Sequence, residues 1–242
     1  MPQTIGILGG LSPQSTANYY QSIVGQHFKF YGNQYYPRII IASVCYQQYA
    51  DWQRNNQWNV MAKNLEYEFA ALANAGADFV LLACNTAHKA LPLISSPIPI
   101  LNIIDVAAWK AKHLLLNTLV LTGSQFTMSD SFLRQRLQSY DIDVVIPDTK
   151  GRTEIQRIII SELITGIVSP ESAQKFTHIV QTTIKQQKSP VPIEDYGVLL
   201  ACTELGMLLP YLPSEIRFLD TASLHATAAW KIATEQIAAP WD

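Results

Sequence analysis

Short apolar runs alternate along the chain with longer stretches in which apolar residues recur at intervals of three and four. The runs Thr4–Gly9, Arg38–Ser43, Phe79–Ala83, Ile98–Ile104, Thr118–Gly123, Val144–Pro147, Gly197–Ala201 and Arg217–Leu219 are apolar at consecutive positions, the pattern of strands buried on both faces of a parallel sheet. Helical spacing predicts helices over Pro13–Phe28, Met61–Ala75, Val106–Leu116, Thr153–Thr165, Pro170–Lys185 and Ala222–Ile237. Ser12 before Pro13 is a helix start, and Gly76 and Gly166 are helix stops. The polar stretch Ala50–Val60, with Trp52 and Trp58, reads as a loop or short helix over a cleft. Strands alternating with helices throughout indicate an α/β fold with doubly wound parallel sheets.

The pattern is written twice. Val-Leu-Leu-Ala-Cys ends at Cys84 and recurs ending at Cys202, 118 positions later. Ile5–Gly10 resembles Leu119–Ser124, and Ile103-Ile104-Asp105 resembles Phe218-Leu219-Asp220. Two pseudo-symmetric domains are therefore expected, the first spanning 1–104 plus 221–242 and the second 105–220, with the active site in the cleft between them. Each half presents one cysteine at the same strand end, and pseudo-twofold symmetry would turn the thiols toward each other.

The carboxyl ends of parallel strands are where such sheets place ligands, so the residues just past them carry the candidate chemistry. After Cys84, Asn85 and Thr86 are positioned to cap a helix and aim its free N–H groups at an anion. His88 falls one helical turn on, either to polarise the thiol or as a satisfied structural histidine. The Gly9-Gly10-Leu11 loop does not fit the GxGxxG dinucleotide pattern; it reads as close backbone approach to a small ligand or to the following helix, with Gly10 and Leu11 candidate substrate contacts. Ser124–Asp130 takes the place of that loop in the second half, replacing bare backbone with hydroxyls, and Gln53 is a candidate contact from the polar stretch. Cys45 has no counterpart in the other half and reads as structural or a spectator.

Composition narrows the classes. The 242 residues are 48% hydrophobic and 15% charged, enough for a full core, and the net charge of −2 with no basic stripe gives no reason to expect nucleic acid. The apolar runs are too short to span a bilayer and no signal-peptide pattern opens the chain, so a cytoplasmic protein is expected, without membrane partners. Three cysteines, none at CxxC spacing, argue for reduced thiols rather than a disulfide framework or a zinc site.

Ile-Gly-Ile-Leu-Gly-Gly-Leu-Ser-Pro-Gln-Ser-Thr near the N-terminus, Ala-Cys-Asn-Thr-Ala-His at 83–88 and Ala-Cys-Thr-Glu-Leu at 201–205 together resemble the aspartate/glutamate racemase family. Ser43–Trp58, Gly123–Met128 and Glu154–Gly166 are similar to its bacterial L-aspartate/glutamate-specific, broad-specificity subgroup. The resemblance implies racemisation of aspartate or glutamate without cofactor or metal, a small amino-acid substrate as the ligand, and a homodimer. By matching position it implies Cys84 and Cys202 as the two bases, Asn85, Thr86 and Thr203 near the substrate carboxylate and amine, and Gln53, Ser124 and Thr127 as subgroup contacts. The arginine and lysine of archaeal-type members are missing: Gln47–Trp52 holds no arginine, and Ile164 stands at the lysine position. Some of the subgroup carries threonine at the first base position, where this chain has Cys84.

A pair of acid/base groups on opposite faces of an α-carbon fits racemisation directly. A thiol with reference pKa about 8.5, lowered by a helix N-terminus, serves as thiolate base while its partner waits protonated. Hydroxyls and N–H groups must stabilise the carbanion. Two rivals remain: an isomerase or decarboxylase of a small dicarboxylate with one nucleophilic cysteine, and a two-lobed amino-acid-binding protein without chemistry.

Overall fold

In unit 1, strands β1 (Ile5–Gly9), β2 (Ile39–Ser43), β3 (Phe79–Leu82) and β4 (Ile100–Leu101) form a parallel sheet in the order β2-β1-β3-β4. Helices α1 (Pro13–Tyr31), α2 (Tyr46–Arg54) and α3 (Trp58–Asn74) connect them. Helix α4 (Ile103–His113) leads into unit 2, where β5 (Thr118–Gly123), β6 (Asp143–Val145), β7 (Tyr196–Ala201) and β8 (Arg217–Asp220) form a second parallel sheet in the equivalent order β6-β5-β7-β8. It carries α5 (Gln125–Ser129), α6 (Phe132–Gln138), α7 (Thr149–Ser161) and α8 (Pro170–Lys185), and α9 (Thr221–Ala233) returns to unit 1. The structure, a computed structural model, describes residues 2–187, 192 and 195–241. Its two compact units are Met1–Ile103 with Ala222–Asp242, and Ile104–Thr221. Among the described residues no helix is long and apolar enough to cross a membrane.

The central strands are as buried as their composition predicts: every residue of β1, β3 and β7 is buried. Helix starts agree with the sequence signals. The Ser12 side chain accepts the Ser15 N–H at 3.3 Å with Pro13 at the first position of α1, and Ser169 does the same for Ser172 at 3.0 Å ahead of Pro170 in α8. Gly32, at φ +66°, closes α1 three residues beyond the expected Phe28.

Five expectations are corrected. β2 is not buried on both faces but is an edge strand paired only with β1, leaving Ile41 42% exposed. β4 is two residues long, because helix α4 begins at Ile103 rather than Val106. The Ala50–Val60 stretch is neither one loop nor one short helix: it holds the end of α2 and the start of α3. The predicted helix over Thr153–Thr165 is α7 followed by a separate 3₁₀ turn at Leu163–Thr165. The equation of Ile103-Ile104-Asp105 with Phe218-Leu219-Asp220 is displaced by three residues. Val80 pairs with Ile100 and Val198 with Phe218, so the offset of 118 runs on through the last strand of each sheet, and Asn102 is the counterpart of Asp220.

Helix α9 docks on unit 1 through His225, which is fully buried. Its Nε2–H donates to the Leu101 carbonyl at 2.8 Å and its Nδ1 accepts from the Tyr19 hydroxyl at 2.9 Å. Burial, then the nearby His88, push the imidazole down from 6.5 to about 3, opposed by the Leu101 carbonyl. A folded-state pKa below the unfolded value means that the unfolded chain takes up the extra proton. This contribution is therefore fully present above pH 6.5 and is lost as pH falls toward 3, by about 1.4 kcal/mol per pH unit. Urea midpoints measured at pH 7 and pH 4.5 should fall further for the wild type than for His225→Gln.

Candidate active site

β3 and β1 stay paired until the Ala83 N–H reaches the Leu8 carbonyl at 2.9 Å. The Cys84 N–H then turns back to the Leu82 carbonyl at 2.8 Å, a three-residue turn that swings Cys84 out of the sheet. The chain continues into a 3₁₀ helix, Thr86–Leu93, in place of the expected capped α-helix; Pro92 lies inside it, and the Asn85 side chain makes no cap bond. Cys84 is half-buried and Asn85 buried.

Cys84 opens on a recess of about 40 Å³ lined also by Leu11, Tyr46, Tyr49, Gln53, Met61 and Thr86. No Asp, Glu, Lys, Arg or His is among the described residues that line it. Gln53 reaches it because the chain is helical at this point, as part of α2. Tyr49 is 3% exposed and its hydroxyl donates to Asn64 Oδ1 at 2.7 Å. Burial, then the charges of Glu68 and Cys84, hold its phenol well above the usual 10, so it contributes shape rather than a base.

The glycine loop is shaped by packing. A Cβ on Gly9 would strike the Thr16 side chain of α1, whose hydroxyl accepts the Gly10 N–H at 2.8 Å. Gly10, at φ +89°, sits against the backbone of Val44 just past β2. Of the two expected substrate contacts in this loop, Leu11 lines the recess, while Gly10 is buried against Val44.

In unit 2 the pattern recurs with different partners. Cys202 comes after β7 in extended conformation and leads into the 3₁₀ helix Thr203–Tyr211. The Cys202 thiol donates to Glu204 Oε2 at 3.1 Å, and the Thr203 hydroxyl donates to the same oxygen at 2.8 Å. Gly123 pairs with Ala201, so Ser124 and Cys202 leave adjacent strand ends. Ser124 caps α5 by accepting the Thr127 N–H at 3.2 Å, and the two hydroxyls lie 2.9 Å apart. Thr127 is fully buried and so supports Ser124 rather than facing solvent.

Thus Leu11, Gln53 and Thr86 gather around Cys84, Thr203 joins Cys202, and Ser124 stands on the neighbouring strand end. Asn85, Gly10 and Thr127 are buried close by in the sequence. Sequence reasoning missed Glu204, Tyr46 and Tyr49. Glu204 stands two residues after Cys202 inside the second motif, and that spacing was its signal; nothing in the sequence marked the tyrosines until α2 formed. Cys45, exposed at the start of α2, makes no side-chain cap bond. No group of three or more His, Cys, Asp or Glu among the described residues is placed to hold a metal ion.

The chain is 27% identical over 227 residues to the broad specificity amino-acid racemase RacX of Bacillus subtilis (strain 168), covering 92% of this chain and 94% of that protein. Among solved structures, it matches a candidate Asp/Glu racemase from Yersinia pestis with TM-score 0.84 and 28% identity, over 96% of this chain and 99% of that one. It matches an aspartate racemase homologue from Pyrococcus horikoshii OT3 with TM-score 0.81 and 27% identity, over 97% and 100%. The family model described as Asp/Glu/hydantoin racemase matches residues 8–229, so with both strand-end cysteines inside the matched span the chain belongs to that family.

Proposed function

We propose that this protein racemises amino acids at the α-carbon with Cys84 and Cys202 as a pair of acid/base groups, without pyridoxal phosphate or metal. The observation that carries this is the placement of one cysteine two residues past the end of β3 and one directly after β7, at positions related by the same offset of 118 in two equivalent sheets. One sulfur, as thiolate, takes the α-proton from one face; the other, as thiol, returns a proton to the opposite face, and the roles exchange for the other enantiomer. Glu204 orients the Cys202 S–H by accepting it in a hydrogen bond. The Thr86 hydroxyl and nearby backbone N–H groups stabilise the carbanion's carboxylate, and Thr203, whose proton goes to Glu204, offers its oxygen to the substrate ammonium.

Aspartate and glutamate are the first substrates to test, yet the recess beside Cys84 offers a side chain only neutral partners. Neutral hydrogen bonds discriminate less than charge-assisted ones. The expected result in D2O is loss of the α-proton signal from aspartate, glutamate and several amino acids with uncharged side chains, with both enantiomers formed, before and after dialysis against chelator. A preference for aspartate alone with submicromolar Kd overturns the breadth. Absence of exchange with every amino acid overturns the racemase reading, and activity that vanishes with chelation overturns its independence of metal.

A further inference from the structure

The two-base scheme leaves His88 without a role, although it is buried beside the Cys84 turn at 3% exposure. We propose that His88 is the positioning residue for Cys84, fixing the backbone that aims that thiol and leaving Cys202 untouched. Its Nδ1 lies 2.8 Å from the Cys84 carbonyl, and the Ile103 N–H reaches its Nε2 at 3.1 Å. An amide N–H only donates and a carbonyl only accepts. Nε2 is therefore the acceptor, and the proton lies on Nδ1. The ring ties the residue that leaves β3 to the first residue of α4.

The tie matters because Cys84 has already left the sheet. Its N–H is turned back on Leu82, and the His88 bond holds the other end of the same residue. The His225 ring stands 6.2 Å from the His88 ring at 67° and is itself pinned by Tyr19 and Leu101, so a buried, hydrogen-bonded wall backs His88. The second half is built differently at the equivalent position. The counterpart of His88 at the offset of 118 is Gly206, where a Cβ would lie 2.7 Å from Asp220 Oδ2. Cys84 is thus aimed through a histidine on its backbone, and Cys202 through a carboxylate on its sulfur.

The inference rests on the two-base reading, and the asymmetry supplies a test that separates the two. Each half-reaction is followed alone, as α-proton exchange from pure L- and pure D-substrate during the first turnovers in D2O. The hand served by Cys84 is the one that Cys84→Ala abolishes in the same assay. His88→Leu is expected to lower kcat for that hand by about 10- to 100-fold with KM little changed, the effect of a misplacement near 1 Å. The other hand should stay within about threefold. His88→Asn, which restores only the donor toward the Cys84 carbonyl, should recover most of the lost rate, and this comparison stands even if the leucine variant does not fold. Equal losses for both hands, or no loss in either variant with an unchanged melting temperature, overturn the proposal. Exchange that is absent from the wild type overturns the racemase reading instead.

Discussion

Cys84→Ala and Cys202→Ala are each expected to reduce interconversion of enantiomers by several orders of magnitude, while each variant keeps one half of the chemistry. Full racemisation needs a base on one face and an acid on the other, so the pair acts as a unit and either loss is nearly complete. Proton removal alone needs one sulfur. From an amino acid carrying chloride on its β-carbon, a thiolate takes the α-proton, the α–β double bond forms and chloride departs with the β-carbon's bonding pair. The enamine then hydrolyses to a keto acid and ammonia. Cys84→Ala should eliminate chloride from one enantiomer only, Cys202→Ala from the other only, and chloride release from pure D- and L-substrate reads this directly. Elimination by both variants from the same hand, or an equal loss on Cys45→Ala, replaces the two-base assignment with a single nucleophile.

Gly10→Ala should destabilise the protein by about 3 kcal/mol or more, with Tm lowered by about 10 °C. A left-handed backbone penalises any Cβ by about 1–2 kcal/mol, and here the Cβ would also meet the Val44 backbone, with Val44 N only 2.7 Å away. Backbone cannot swing aside as a flexible side chain does. Gly25 is the control of opposite sign. It lies within α1 with nothing within 4 Å of the point a Cβ would occupy, so Gly25→Ala should stabilise by roughly 0.5–1 kcal/mol. Thermal or urea unfolding of the two variants beside the wild type checks both signs.

Legibility in the sequence divides along a physical line. Strands β1, β3, β5 and β7 were legible because both of their faces are buried, so apolar residues fill consecutive positions. β2 carries the same residue types, Ile39-Ile40-Ile41, and only its place at the sheet edge leaves it half-exposed; neighbour relations of that kind are not written in the strand itself. The two cysteines were legible because the motif is duplicated. His88 was marked by its spacing but not its bond to the Cys84 carbonyl, and Glu204 was missed, since both contacts form only after each 3₁₀ turn has placed the side chain. The three-residue slip at Ile103-Ile104-Asp105 has the same origin: local similarity matched a helix start to a strand, and only the pairing register restored the offset.

The path of α9 bears on how the chain folds as it is made. Residues 104–221 of unit 2 are contiguous, so everything that unit needs has been synthesised once Thr221 is added. Unit 1 is discontinuous: its sheet is complete at Leu101, but His225, which receives the Tyr19 hydroxyl, and Trp230, which packs on Phe30 at 5.5 Å between ring centroids, come after the whole of unit 2. Domains fold as units during synthesis as their residues emerge. The segment bearing Cys84 therefore waits with an uncovered core while the Cys202 segment matures, and a pause or truncation before Ala222 leaves a folded second unit attached to an open first one.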